Sequence, residues 1–126
     1  QKYSVGYERA FMSECQSLLD EALANMKGGA YAVGVDTNGY LTAHNRKYSN
    51  PLTGNYQTDL VGNRTCRKFE APTELRAARN TQAMLLQTYI RDTGELLCDL
   101  AMPVFVGGKH WGNVRAGCDS AVFLDT

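Results

Sequence analysis

The sequence predicts an α+β domain, with one long N-terminal helix followed by a five-stranded antiparallel sheet and short covering helices. Three observations carry this expectation. Apolar residues recur at spacings of three and four between Val5 and Lys27, strict alternation governs later stretches, and turns ending in Asn38-Gly39, Thr93-Gly94 and Gly107-Gly108 separate the alternating segments. The composition agrees with one ordinary domain spanning 1–126: 126 residues, 44% hydrophobic, 21% charged and only 3 prolines.

The first element is the helix, about 5–27. Phe11, Cys15, Leu18, Leu19, Ala22, Leu23 and Met26 form one apolar stripe. Glu8, Arg9, Glu14, Gln16, Ser17, Asp20 and Glu21 occupy the remaining positions, and Gly28-Gly29 supplies a helix stop. About six turns are expected. That is long for so small a domain, so the N-terminal half is expected to reach a second subunit or the rest of a longer protein, and a homodimer is the expected oligomer. The start at Gln1, without Met or an apolar leader, also reads as an excised domain.

The sheet-and-loop core is expected over about 30–124. Tyr31, Val33 and Val35 alternate with Ala32 and Gly34, and Asp36-Thr37-Asn38-Gly39 turns the chain into Tyr40–His44, a β-hairpin. Asn45–Asn63 has neither period and reads as a long irregular connection with a helical turn near Thr58–Val61. Arg64–Phe69 fits either a short strand or a helical turn. Ala71–Arg79 has Pro72 early and Glu74 in its first turn, the signature of a short helix. Leu85–Ile90, a turn at Asp92-Thr93-Gly94, Leu96–Pro103, a turn at Gly107-Gly108-Lys109 and Trp111–Phe123 then form a three-stranded meander. Gly112, Ala116 and Gly117 admit close packing or a bulge in its last strand.

Several functions lose their support at this level. Thirteen Lys plus Arg balance thirteen Asp plus Glu, so the one-sided basic surface that nucleic acid requires is not expected. The longest apolar stretches, such as Leu100–Val106, fall far short of the roughly 20 residues of a spanning helix. Cys15, Cys66, Cys98 and Cys118 show neither zinc nor c-haem spacing and read as reduced structural thiols, with two disulfides the alternative. Gly34-x-x-x-x-Gly39 opens no helix and is not a phosphate loop. No nucleophile elbow accompanies Cys66 or Cys118, so no enzyme is expected.

Longer strings carry a resemblance. Asp59-Leu-Val-Gly-Asn-Arg-Thr65, Leu85-Leu-Gln-Thr-Tyr89 running into Arg91-Asp-Thr-Gly-Glu95, and Lys109-His-Trp-Gly112 followed by Val114-Arg115 are similar in order to sensory modules of bacterial methyl-accepting chemotaxis proteins. Asn38-Gly-Tyr40, His44-Asn45, Pro51-Leu-Thr-Gly54 and Gly117 fall at matching places. The resemblance implies a single Cache domain of the PAS-like class, a signal-input unit that binds a small ligand and passes the change through its long helix to a signalling module. It implies no cofactor and no catalysis. A membrane-bound parent receptor is compatible with this, and the unpaired-looking thiols favour the cytoplasmic over the periplasmic side for this domain, without fixing the side.

In such a fold the pocket lies between the sheet and the loops that cover it. Gln87 and Tyr89 on one strand and Asp99 on the next are polar residues in apolar runs; they face either that pocket or solvent. Arg64, Arg67 and Arg79 flank the covering segment, and Arg115 lies on the last strand. Guanidinium forks suit a small organic anion, and ion pairs to Asp59, Glu70, Glu74 or Asp99 account for the same arginines without a ligand. Replacing Arg64 or Tyr89 by Ala is expected to abolish binding and spare the fold. His44 closes a strand and could serve as an axial haem ligand, a backbone-bonded turn histidine being its simpler role. Three functions follow: a ligand-binding sensor, a dimerisation or partner-docking module without a ligand, and a non-covalent haem sensor.

Overall fold

A computed structural model of the chain describes residues 2, 6–90, 94 and 96–120, apart from the side chains of Glu8 and Tyr89. The fold is α+β, as expected, with three helices and one five-stranded antiparallel sheet. Helix α1 spans Glu8–Ala24, shorter at both ends than the apolar stripe suggested. It stops because Asn25 caps it with backbone bonds to Glu21 and Leu23, and Gly28, at φ +66°, turns the chain directly into the sheet. The buried stripe is also narrower. Leu19 is buried and Phe11, Met12, Cys15, Leu23 and Met26 are half-buried, whereas Leu18 is 63% exposed and Ala22 faces out.

Strand β1 (Gly29–Asp36) turns into the short strand β2 (Leu41–Ala43). Asp36 fixes that reversal, its Oδ1 accepting from the backbone N–H groups of Asn38 and Tyr40 at 2.9 and 3.0 Å, while Gly39 supplies φ +78°. The long connection is ordered by a 3₁₀ turn at Arg46–Tyr48 and by helix α2 (Tyr56–Gly62), whose N-cap Asn55 accepts from Thr58 N–H. Arg64–Phe69 is neither helix nor regular strand. It runs along β2, with Leu41 N–H donating to Arg67 O and Phe69 N–H to Gly39 O, after a sharp turn in which Cys66 takes φ +59°.

Helix α3 covers Pro72–Ala78 with proline in its first turn. Strands β3 (Leu85–Ile90), β4 (Leu96–Val106) and β5 (Lys109–Asp119) complete the meander. The Gly107-Gly108 hairpin turn has positive φ at both residues. Asp92-Thr93 of the other expected turn, and the last strand beyond Ser120, lie outside the described residues.

The strand order is β2-β1-β5-β4-β3, so chain ends and middle interleave at the centre of the sheet. One face carries α1, with Leu19 of the helix packed on Ala32, Ala43 and Val114. The other is covered by the connection and α3 over Tyr31, Val33, Val35, Leu41, Ala78 and Leu97, with Tyr48 and Phe69 at its edges. No described helix is long and apolar enough to cross a membrane.

Candidate functional site

Register places the polar residues of the covered face. Tyr31 of β1 pairs with Gly117 of β5, which pairs with Asp99 of β4, which pairs with Gln87 of β3. These four form one row across the sheet. Tyr31 reaches over β5 because the middle position is glycine: a Cβ at Gly117 would sit 2.3 Å from two carbons of the tyrosine ring. Its hydroxyl donates to Asp99 Oδ1 at 2.7 Å. Arg115, two residues before Gly117, brings Nε to 3.1 Å from both Asp99 oxygens. Asp99 is fully buried and Arg115 4% exposed. A buried ion pair needs this quality of geometry to offset desolvation, and an additional hydroxyl donor supplies part of it.

Asp99 therefore faces inward, away from solvent. Gln87 is half-buried beside it and donates from Nε2 to Thr73 O at 3.0 Å, tying β3 to α3. The side chain of Tyr89 lies outside the described residues.

The other arginines are not gathered here. Arg67 donates from Nη2 to Asp59 O at 2.9 Å, Leu60 O at 3.2 Å and Asn63 O, closing the C-terminal end of α2. Arg64 is buried, donates to Leu60 O at 3.1 Å and lies over the Phe69 ring. An Ala substitution at Arg64 thus removes packing and a carbonyl partner together, so the expectation that it would spare the fold gives way. Arg79 is exposed and bonds Thr37 O at 2.8 Å.

Sequence reading missed two asparagines that hold the covering layers in place. Asn113, fully buried on β5, donates to Ala78 O and Asn80 O at 3.0 Å each and so caps the end of α3, while Asn80 donates back to its Oδ1. Asn45 accepts from Ala32 N–H at 2.6 Å and donates to Leu19 O and Asp20 Oδ1, clamping α1 onto β1. Their signal was present only as polar residues beside apolar ones, without a period to place them inside.

His44 is 2% exposed, its ring against Tyr48 at 4.6 Å and Tyr31 at 6.3 Å. Nδ1 accepts from Asn45 N–H at 2.8 Å, which puts the neutral ring's proton on Nε2. An iron ligand would need an in-plane lone pair on Nε2, so the ring proton would have to move to Nδ1 and the bond from Asn45 N–H would be lost. Among the described residues no three of His, Cys, Asp and Glu are grouped as a metal set.

Grooves open on the surface of the described residues. One, of about 460 Å³, runs between α3 and β3, lined by Leu75, Arg76, Arg79, Asn80, Thr81 and Leu85. Leu85 pairs with Ala101 and Ala101 with Arg115, so the β3 wall of this groove shares a row with Arg115 across the buried Ala101, and on the next row Gln87, beside Asp99, is tied to Thr73. The second, of about 400 Å³, lies at α2 between Lys2, Leu52, Tyr56, Asp59, Leu60 and Arg67. Asp59 accepts there from Thr53 and Gly54, and these bonds, the backbone N–H of Thr53 first, hold its carboxyl below the usual range.

Comparison with known proteins adds a likeness of fold. An extracellular ligand binding receptor from Desulfohalobium retbaense superposes with a TM-score of 0.61 and 16% identity over 92% of this chain. The chain spans about a fifth of that receptor, 21% of its length. No family model and no curated protein matches.

Proposed function

We propose that this domain is a signal-input module that binds a small organic anion between the sheet and its covering helices. The observation that carries this reading is the buried Tyr31–Asp99–Arg115 group, with a groove across Ala101 whose rim bears Arg76 and Arg79. Arginines at the mouth attract an anion, and Arg115 inside offers a planar fork to a carboxylate that takes over from Asp99. Entry requires α3 to lift from β3, which breaks the Gln87–Thr73 bond. The fold shared with a ligand binding receptor supports the same reading.

Transmission follows from how α1 is fastened. His44 lends its ring to the covered face and its carbonyl to Gln16 of α1 at 3.2 Å, and the next residue, Asn45, bonds Leu19 O. A shift of His44 on ligand entry therefore reaches the helix within one residue. For a population shift, the ligand must bind the two arrangements with different affinity.

The test is a thermal-shift screen of the purified protein against organic acids, amino acids, purines and haem. A saturating organic acid is expected to stabilise by about 2.7 kcal/mol at 100 times its dissociation constant. Gln87→Ala and Arg79→Ala should weaken that hit while retaining a cooperative melt. Hits confined to haem, or unchanged affinity in both variants, would reject the assignment.

A second reading rests on the α1-bearing face beyond the helix, where Leu86, Ile90 and Leu96 are 58%, 68% and 52% exposed. A sensor-like fold that docks a partner through this surface would give no small-molecule hit and a mass that rises with concentration.

A further inference from the structure

The two most buried cysteines face each other across the middle of the sheet. Cys98 of β4 and Cys118 of β5 are register partners, both buried and both free thiols. Asp119 N–H donates to Gly28 O, towards β1, so the backbone N–H and C=O of Cys118 point the other way, at β4. The two cysteines are therefore a hydrogen-bonded cross-strand pair, for which Cα atoms lie about 5.5 Å apart. A disulfide accepts Cα separations of roughly 4.4–6.8 Å, which contains this spacing, and also needs Cβ atoms about 3.5–4.5 Å apart, so a small approach of the two strands closes the bond. Thr88 completes the row on β3, its hydroxyl 3.8 Å from Cys98 Sγ.

We propose that Cys98 and Cys118 are a dithiol site that closes to a cross-strand disulfide by exchange with a low-molecular-weight disulfide. The thiolate of one cysteine attacks the small disulfide, breaking its S–S bond, forming a mixed disulfide and expelling one thiolate. The second cysteine then attacks the protein sulfur of that mixed disulfide and expels the other thiolate. The protein loses two hydrogens and two electrons, and the small disulfide is reduced to two thiols. Burial, first, and then the adjoining Cys98 and Asp119 raise the Cys118 thiol above its ordinary pKa, so the exchange is slow rather than a rapid sensor reaction. Alternation places Asp99 and Gly117 on the opposite face from this pair, one residue along each strand. The disulfide thus pins β4 to β5 directly behind the Asp99–Arg115 group.

Reduced, folded protein is incubated with excess glutathione disulfide for hours, quenched, alkylated with N-ethylmaleimide and mapped by mass spectrometry. The expected result is a loss of about 2 Da from the protein's own mass, with one pair of peptides joined through Cys98 and Cys118 and released by dithiothreitol. Cys98→Ser is expected to leave Cys118 as the glutathione mixed disulfide or alkylated, with no internal link. Alkylated Cys98 and Cys118 after oxidation of the parent protein, or links from either to Cys15 or Cys66, would overturn the proposal.

Discussion

Asp99 is the point at which Arg115 and Tyr31 converge where water is excluded. Removing it takes a carboxylate away from a buried guanidinium. Asp99→Ala is expected to cost about 3–5 kcal/mol, whereas Asp99→Leu combined with Arg115→Met should recover most of that loss or exceed the parent. Urea denaturation of the three proteins decides it; a double variant no better than the single one would mean the pair is not the source of the cost. Asp99 was legible in the sequence as a carboxylate inside an apolar run, and its face followed once Gln87 and Leu97 were placed. Tyr31 as its donor was not legible. That contact depends on Gly117 lying between them in register, and register between β1 and β5 joins residues far apart in the chain.

At the scale of elements, the hairpins and α3 were readable from local chemistry: Asp36 and Gly39, Pro72, Gly107-Gly108, and the helical turn within the long connection was expected near Thr58–Val61, though its cap at Asn55 was not. The Arg64–Phe69 segment was not, since it takes its shape from bonds to β2 rather than from its own period. The end of α2 shows what its cations do. Lys2 and Arg67 both donate to carbonyls there, Lys2 to Asn63 O at 3.2 Å and to Thr65 O, and Lys2 also to Asn63 Oδ1. Partial burial, and then repulsion from Arg67, lower the Lys2 pKa from 10.5 to about 8. The folded protein releases this proton more readily than the unfolded chain, so stability tied to Lys2 rises with pH between about 8 and 10.5 and is lost as pH falls through 8. Comparison of unfolding midpoints for the parent and Lys2→Met across that window checks the sign. The parent should gain on the variant as pH rises; parallel curves would mean that Lys2 has the same pKa folded and unfolded.

The whole molecule is two layers fastened to one sheet, and the joint with α1 contains the chain's single tryptophan. Phe11 of α1 stacks on Trp111 at 4.9 Å and 18°, and Trp111 Nε1 donates to Tyr7 Oη, which in turn donates to Asp36. Gly34 keeps the sheet low enough for the Phe11 ring, which would lie 2.9 Å from a Cβ there. Trp111 emission therefore reports whether α1 is seated. Phe11→Ala should shift that emission to longer wavelength and cost less than the about 3–5 kcal/mol of a fully buried Phe, because Phe11 is half-exposed. The same signal separates binding from transmission. An organic acid that stabilises the protein should also change Trp111 emission if His44 and Asn45 carry the shift to α1, and Asn45→Ala should lower the amplitude of that change more than the affinity. Saturable binding with constant Trp111 emission and constant amide exchange in α1 would leave the domain a binding unit and remove the helix from its signalling route.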